Sequence, residues 1–163
     1  MKIAQMGFYT TNTGDNAALY NIRKYIGAEW TNINMQEEAS ANKTIPELVN
    51  LFIDINNKYD MIMIGGAGLI EGGVWNNTST GWKLPFNEQI LSIISIPIVV
   101  FGVGFNFFRG MPKLNDLGKK HLGMLIKQAK LFSVRNDGSY EELMEAVTPS
   151  KKIYEIIDAG GMQ

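Results

Sequence analysis

The sequence predicts an α/β fold, a three-layer αβα arrangement around a mostly parallel sheet, and three observations carry that expectation. Short apolar runs alternate with segments of helical period along the whole chain, the pattern that right-handed βαβ crossovers produce. The apolar runs are nearly continuous rather than alternating with polar residues, as in strands buried on both faces. The 17 glycines outnumber the 5 prolines, and they gather just after the apolar runs, where strands hand over to helices.

The elements follow in order. Lys2–Met6 reads as the first strand, Asp15–Ile26 as a helix and Thr31–Met35 as the second strand. Residues 45–57 match the helix template, with Ile45, Leu48, Val49, Phe52 and Ile55 on one face. Thr44 and Glu47 have capping-box spacing at its start, and Pro46 is tolerated in the first turn. Tyr59–Ile64 reads as a third strand, Phe86–Ser95 as a helix and Ile96–Phe101 as a fourth strand. Leu114–Lys130 reads as a helix with Leu122, Leu125, Ile126 and Ala129 inward, and Leu131–Val134 as a fifth strand. Asn136–Val147 is read as a helix and Lys152–Ile157 as a sixth strand. The polar, glycine-rich stretch Glu71–Leu84 reads as an active-site or interface loop rather than a domain boundary.

Length and composition narrow the function classes. The 163 residues are about one domain's worth of chain, so a single domain spanning 1–163 is expected. Hydrophobic residues make up 45% and charged residues 19%, enough to bury a core. A net charge of −1 argues against a nucleic-acid partner bound by bulk phosphate attraction. The absence of cysteine excludes disulfides, thiolate metal sites and thiol catalysis. No apolar run reaches the length of a membrane span, and the first residues lack the pattern of a signal peptide, so a cytoplasmic location is expected. His121 directly follows Lys119 and Lys120 in a helix and is expected to be partly exposed; Trp75 and Trp82 either stack on a sugar or anchor the long loop.

Ligands of open parallel sheets bind beyond the carboxyl ends of the strands. Four polar or glycine-marked segments are expected there. The first is Asn12-Thr13-Gly14-Asp15, where Asp15 either caps the helix or binds an acceptor hydroxyl, Gly14 brings backbone N–H groups near an anion, and Asn12 adds a donor. The second and third are Gly65-Gly66-Ala67-Gly68 and Gly102-Val103-Gly104, read as tight strand-to-helix turns or as backbone open to a ligand. Neither matches the dinucleotide fingerprint, and no P-loop motif is present, so no nucleotide cofactor is expected. The fourth is Arg135-Asn136-Asp137-Gly138-Ser139. Here Arg135 either grips a carboxylate or phosphate or pairs with an acid such as Asp137 or Glu141, and Asn136 is expected to cap the helix with Ser139 in its first turn.

In this order the four segments resemble the polysaccharide pyruvyl transferase family. The matching motifs are Asn12-Thr13-Gly14-Asp15-Asn16-Ala17, the strand and turn from Asp60 to Gly68, Val99–Gly104, and Ser133-Val134-Arg135-Asn136-Asp137-Gly138-Ser139, continued by Tyr140 and Leu143. The resemblance covers about residues 3 to 158. Ala67 stands where the family commonly has glycine, and Asn136 where it usually has aspartate.

The resemblance implies the N-terminal half of a GT-B-type transferase that moves a pyruvyl group from phosphoenolpyruvate to a sugar of a cell-surface polysaccharide. Asn12, Gly14, Asp15, Gly65, Gly66, Gly68, Gly102, Gly104, Arg135, Asn136 and Ser139 are the substrate-binding candidates it suggests; no catalytic residue, metal or cofactor is assigned. Because the family's second Rossmann-like half is expected to be missing, the lone chain is expected to be incomplete. A second copy or a separately encoded second half would then complete it. The alternative is a non-catalytic sugar- or anion-binding or interaction module of the same fold.

Overall fold

A computed structural model describes residues 1–9, 13–37, 43–72, 80–106, 112–158 and 160. The strands are β1 (Lys2–Gly7), β2 (Glu29–Asn34), β3 (Met61–Gly65), β4 (Gly68–Ile70), β5 (Ile98–Phe105), β6 (Leu131–Arg135) and β7 (Tyr154–Ile156). The helices are α1 (Thr13–Lys24), α2 (Ile45–Lys58), α3 (Glu88–Ile93), α4 (Asp116–Gln128) and α5 (Ser139–Ala146). The seven strands form one sheet in the order β2-β1-β3-β5-β6-β7, with β4 beside β5, and every pairing is parallel. The expected Rossmann-like three-layer fold is thus the one formed.

The layers are unequal, and strand order explains why. The step from β1 to β2 runs one way along the sheet; every later crossover runs the other way. Right-handed connections therefore place α1 on one face and α2 to α5 on the opposite face. The larger core joins Leu48, Phe52 and Ile55 of α2, Ile90 and Leu91 of α3, Leu122, Leu125 and Ile126 of α4 and Leu143 of α5 to the sheet. Phe52 and Phe86 are fully buried, with ring centroids 5.4 Å apart. The smaller core packs Ala18 and Ile22 of α1 on Ile3 and Met63.

Local chemistry sets the helix starts. The Thr44 side chain accepts from the Glu47 N–H, and the Glu47 carboxylate accepts from the Thr44 N–H at 2.8 Å, completing the expected capping box. Asn87 and Asn115 cap α3 and α4 with side-chain oxygens that accept at 2.8 Å.

Two expectations about the glycine segments change. The residues after β3 do not turn directly into a helix: the chain kinks at Gly66 (φ +88°) and resumes as β4, with Leu69 and Ile70 buried. Gly102-Val103-Gly104 lies inside β5 rather than after it. Gly102 (φ +60°) is the extra residue of a bulge, since Val100 pairs with Phe132 but Val103 with Val134. The bulge swings the end of β5 away from β3 so that Gly104 and Phe105 pair with β4.

His121 is also unlike its expected exposed state. It is 4% exposed, and Nδ1 lies 2.7 Å from the Thr80 carbonyl oxygen. Helical period explains this, because His121 shares a stripe with Gly118, Leu122 and Leu125.

Two glycine substitutions should move stability in opposite directions. At Gly65 a Cβ would stand 2.2 Å from the Phe101 carbonyl oxygen, so Gly65→Ala must part β3 from β5. A loss of about 2–3 kcal/mol in urea denaturation is expected. At Gly123, inside α4, a Cβ meets nothing within 4 Å. There alanine should add about 0.5–1 kcal/mol through helix propensity. Equal midpoints for the two variants would contradict the packing described.

Candidate functional site

The carboxyl ends of the strands meet the first turns of α1 and α5 at one edge of the sheet, as in other parallel sheets. The central side chain of this rim is Arg135, the last residue of β6. Its guanidinium lies flat over Gly104: a Cβ there would stand 2.0 Å from Nη2 and 2.5 Å from Cζ. Any side chain at position 104 would therefore displace the arginine. Nη2 lies 2.9 Å from Asp137 Oδ2, Nη1 donates to Asp158 Oδ2 at 3.2 Å, and Nε is buried without a partner.

Asp137 is itself held. Its Oδ1 accepts from the Ser139 N–H at 3.2 Å and from the Ser139 hydroxyl. The same hydroxyl oxygen accepts from the Phe105 N–H at 2.7 Å. A chain of contacts thus runs from the β5 backbone through Ser139 and Asp137 to the guanidinium. Ser139 is 2% exposed, so its work is positioning within the protein.

Asn136 does not cap α5. Its side chain is exposed and its N–H donates to the Ile156 carbonyl at 2.9 Å, extending the ladder between β6 and β7. The cap position belongs to Gly138, in the left-handed region (φ +91°). The acid partner anticipated at Asp137 is present; Glu141 is replaced in that role by Asp158, which sequence spacing did not single out.

The other candidate glycines are occupied by close neighbours. Gly66 faces Leu19, and Gly68 leaves room for the Asn106 amide, which donates to the Gly68 carbonyl at 3.2 Å. Gly102 faces Ile156. Gly14 and Asp15 lie in the first turn of α1, which begins two residues earlier than expected, so Asp15 is not its cap. Asn12 and Trp75 lie outside the described residues.

A second cation at the rim was missed. Lys83, in the loop leading to α3, pairs with the buried Glu71 at 2.9 Å and stands 4.4 Å from the centre of the Phe8 ring. The base of that loop is firmly held. Trp82 is fully buried and donates to the Phe86 carbonyl at 3.0 Å, so it anchors the loop. Gly81 and Gly118 meet backbone to backbone, each leaving no room for a Cβ on the other. A lone lysine in a long rim loop was the available signal for Lys83.

Charges converge on Asp15. Burial raises its carboxyl above the ordinary value, partly offset by Arg135 and Lys83 and reinforced by Asp158. Behind the rim, Arg23 donates from Nε to the buried Gln5 side chain at 2.5 Å, from Nη2 to the Tyr9 hydroxyl at 3.2 Å, and also to Asn32. Burial pushes Tyr9 up to about 12, so its hydroxyl stays protonated and donates to the Gln5 carbonyl at 2.9 Å. Among the described residues no group of three or more His, Asp or Glu is arranged to hold a metal ion, and no helix is long and apolar enough to cross a membrane.

Two measurements check this arrangement. Ser139→Ala removes the acceptor for the Phe105 N–H and the donor to Asp137, and should cost about 1–2 kcal/mol in denaturant; an unchanged midpoint would refute the contact chain. For Asp15, a raised folded-state value means that stability is full at pH below the ordinary 3.8 and is lost as pH rises through the raised value. Asp15→Asn should therefore gain thermal stability over the wild type progressively as pH rises above 3.8. A constant difference would contradict the burial of this carboxyl.

Comparison with curated proteins finds no match. The family model for polysaccharide pyruvyl transferase matches residues 12–160, which includes all four rim segments. With that match over most of its length, and with its segments meeting at one sheet edge, the chain belongs to the polysaccharide pyruvyl transferase family.

Proposed function

We propose that this domain binds phosphoenolpyruvate at the rim and serves the transfer of its pyruvyl group to a sugar of a polysaccharide. The observation that carries this reading is Arg135, a cation at the end of a buried strand, oriented by Gly104, Asp137 and Ser139. A guanidinium so fixed suits a carboxylate or phosphate, because its planar fork offers paired donors. Lys83 adds a second positive charge on the same side, as its field at Asp15 indicates.

The reaction balances without an added oxidant or reductant. Two sugar hydroxyls add to C2 of the enolpyruvyl group, C3 takes up one proton to become a methyl, and the C2–O bond to phosphate breaks. The second hydroxyl proton leaves with the phosphate. Arg135 would hold the donor's anionic group and ease departure of phosphate. Asp15, whose raised value makes it a better proton acceptor than an ordinary carboxylate, would receive a hydroxyl proton of the sugar. Gly65, Gly66, Gly68, Gly102 and Gly104 would shape the floor beneath, with Gly14 and Asn12 near the acceptor. The proton for C3 and the rest of the acceptor site would come from a second Rossmann-like half, in the same polypeptide or another.

A second reading is favoured by the two carboxylates already on Arg135. In it, Arg135 is an ion-pair hub of a non-catalytic module. Calorimetry with phosphoenolpyruvate separates the two. The first reading expects binding heat with the wild type and about a tenfold or greater loss of affinity in Arg135→Ala. No heat with either protein would remove the donor site. Phosphate release in the presence of a sugar acceptor would identify the domain as catalytic.

A further inference from the structure

The two carboxylates on Arg135 are held in different ways. Asp137 is tied back to β5 through Ser139. Asp158 lies two residues beyond the end of β7 and reaches the rim at Arg135. The strand ends at Ile156, whose carbonyl accepts from the Asn136 N–H. Asp158 then contacts Nη1 through Oδ2 at 3.2 Å, while its Oδ1 accepts from the Gly160 N–H at 2.8 Å. Gly160 rests on the first turns of α1, where a Cβ would stand 3.5 Å from the Gly14 carbonyl oxygen and 3.9 Å from Ala18 Cβ. One carboxylate thus links Arg135 to Gly160 beside α1, and Asp158 with Gly160 forms a strap beyond β7.

We propose that Asp158 is a built-in competitor for the anion, closing the site in the free chain, and that the donor's phosphate or carboxylate takes Nη1 and releases the strap. This rests on the reading of Arg135 as the anion anchor. The contact suits a latch because it is weak and reversible. Asp158 offers one oxygen to Nη1, and its side chain is 45% exposed, so solvent screens the pair. An incoming dianion brings two negative charges to Nη1 where Asp158 brings one, and so gains more than the contact it replaces. Leaving the strap down would instead set the ligand's charge beside both Asp158 and Asp15, which already feel one another.

The chain contains no cysteine, so one engineered pair reports on the strap alone. The 3.9 Å between a Cβ at Gly160 and that of Ala18 is close to the ~3.8 Å typical of disulfides. Calorimetry with phosphoenolpyruvate and with inorganic phosphate is then run on Ala18→Cys/Gly160→Cys, oxidised and reduced, on Asp158→Ala and on Arg135→Ala, each checked for folding by its thermal midpoint. The oxidised protein should bind about tenfold or more weakly than its reduced form. Asp158→Ala should bind roughly three- to tenfold more tightly than the wild type. Equal binding by oxidised and reduced forms, with Arg135→Ala still impaired, would overturn the strap and leave the anchor standing. A lock that weakens binding while Asp158→Ala matches the wild type would overturn the competitor role of the carboxylate. Absence of binding in every form, Asp158→Ala included, would overturn the anchor and the strap together.

Discussion

A guanidinium can lie flat on a β-strand only where the strand has no side chain beneath it, and the rim of this domain depends on that condition. Arg135 covers Gly104, and the room for it exists because β5 carries glycine there. The orientation then comes from Asp137, fixed through Ser139 to the backbone of β5. Each contact is modest alone, but together they leave the arginine a restricted set of rotamers. A long side chain that would otherwise lose much entropy on binding is held in place beforehand.

The bulge at Gly102 makes this arrangement accessible. An ordinary strand would have kept Gly104 paired in line with β3. The extra residue turns the end of β5 toward β4, so one strand serves two neighbours at different heights. Gly65, Gly66 and Gly68 follow the same logic, each admitting a close neighbour: the Phe101 carbonyl, Leu19 and the Asn106 amide. The glycines are therefore sites of tight packing as well as of chain reversal.

Acids outnumber cations at the rim, which bears on how an anion would be received. Arg135 and Lys83 face Asp137, Asp158, Glu71 and Asp15 across a small region. Glu71 is buried beside Lys83 and Asp137 is tethered, whereas Asp158 sits on the outgoing strap. The acids thus differ in how readily they could yield to a ligand. Arg23, though it is a third cation near the end of β1, is held by Gln5, Tyr9 and Asn32 between aromatic rings.

The amino-acid order by itself determined the alternation of strands and helices, the parallel sheet, the capping box at Thr44 and the set of segments that meet at the rim. These follow from hydrophobic period, strand burial and right-handed crossovers, all of which act locally or apply to every chain. Tertiary structure alone decided what the polar residues do. Ser139 became a positioning group because it meets the Phe105 N–H, 34 residues away in sequence. Gly104 became the seat of Arg135, Asp158 reached the same guanidinium from beyond β7, and His121 was buried against the Thr80 carbonyl. Such roles depend on partners distant in the chain, and residue type and spacing carry no record of which distant atoms the fold will bring within hydrogen-bond range.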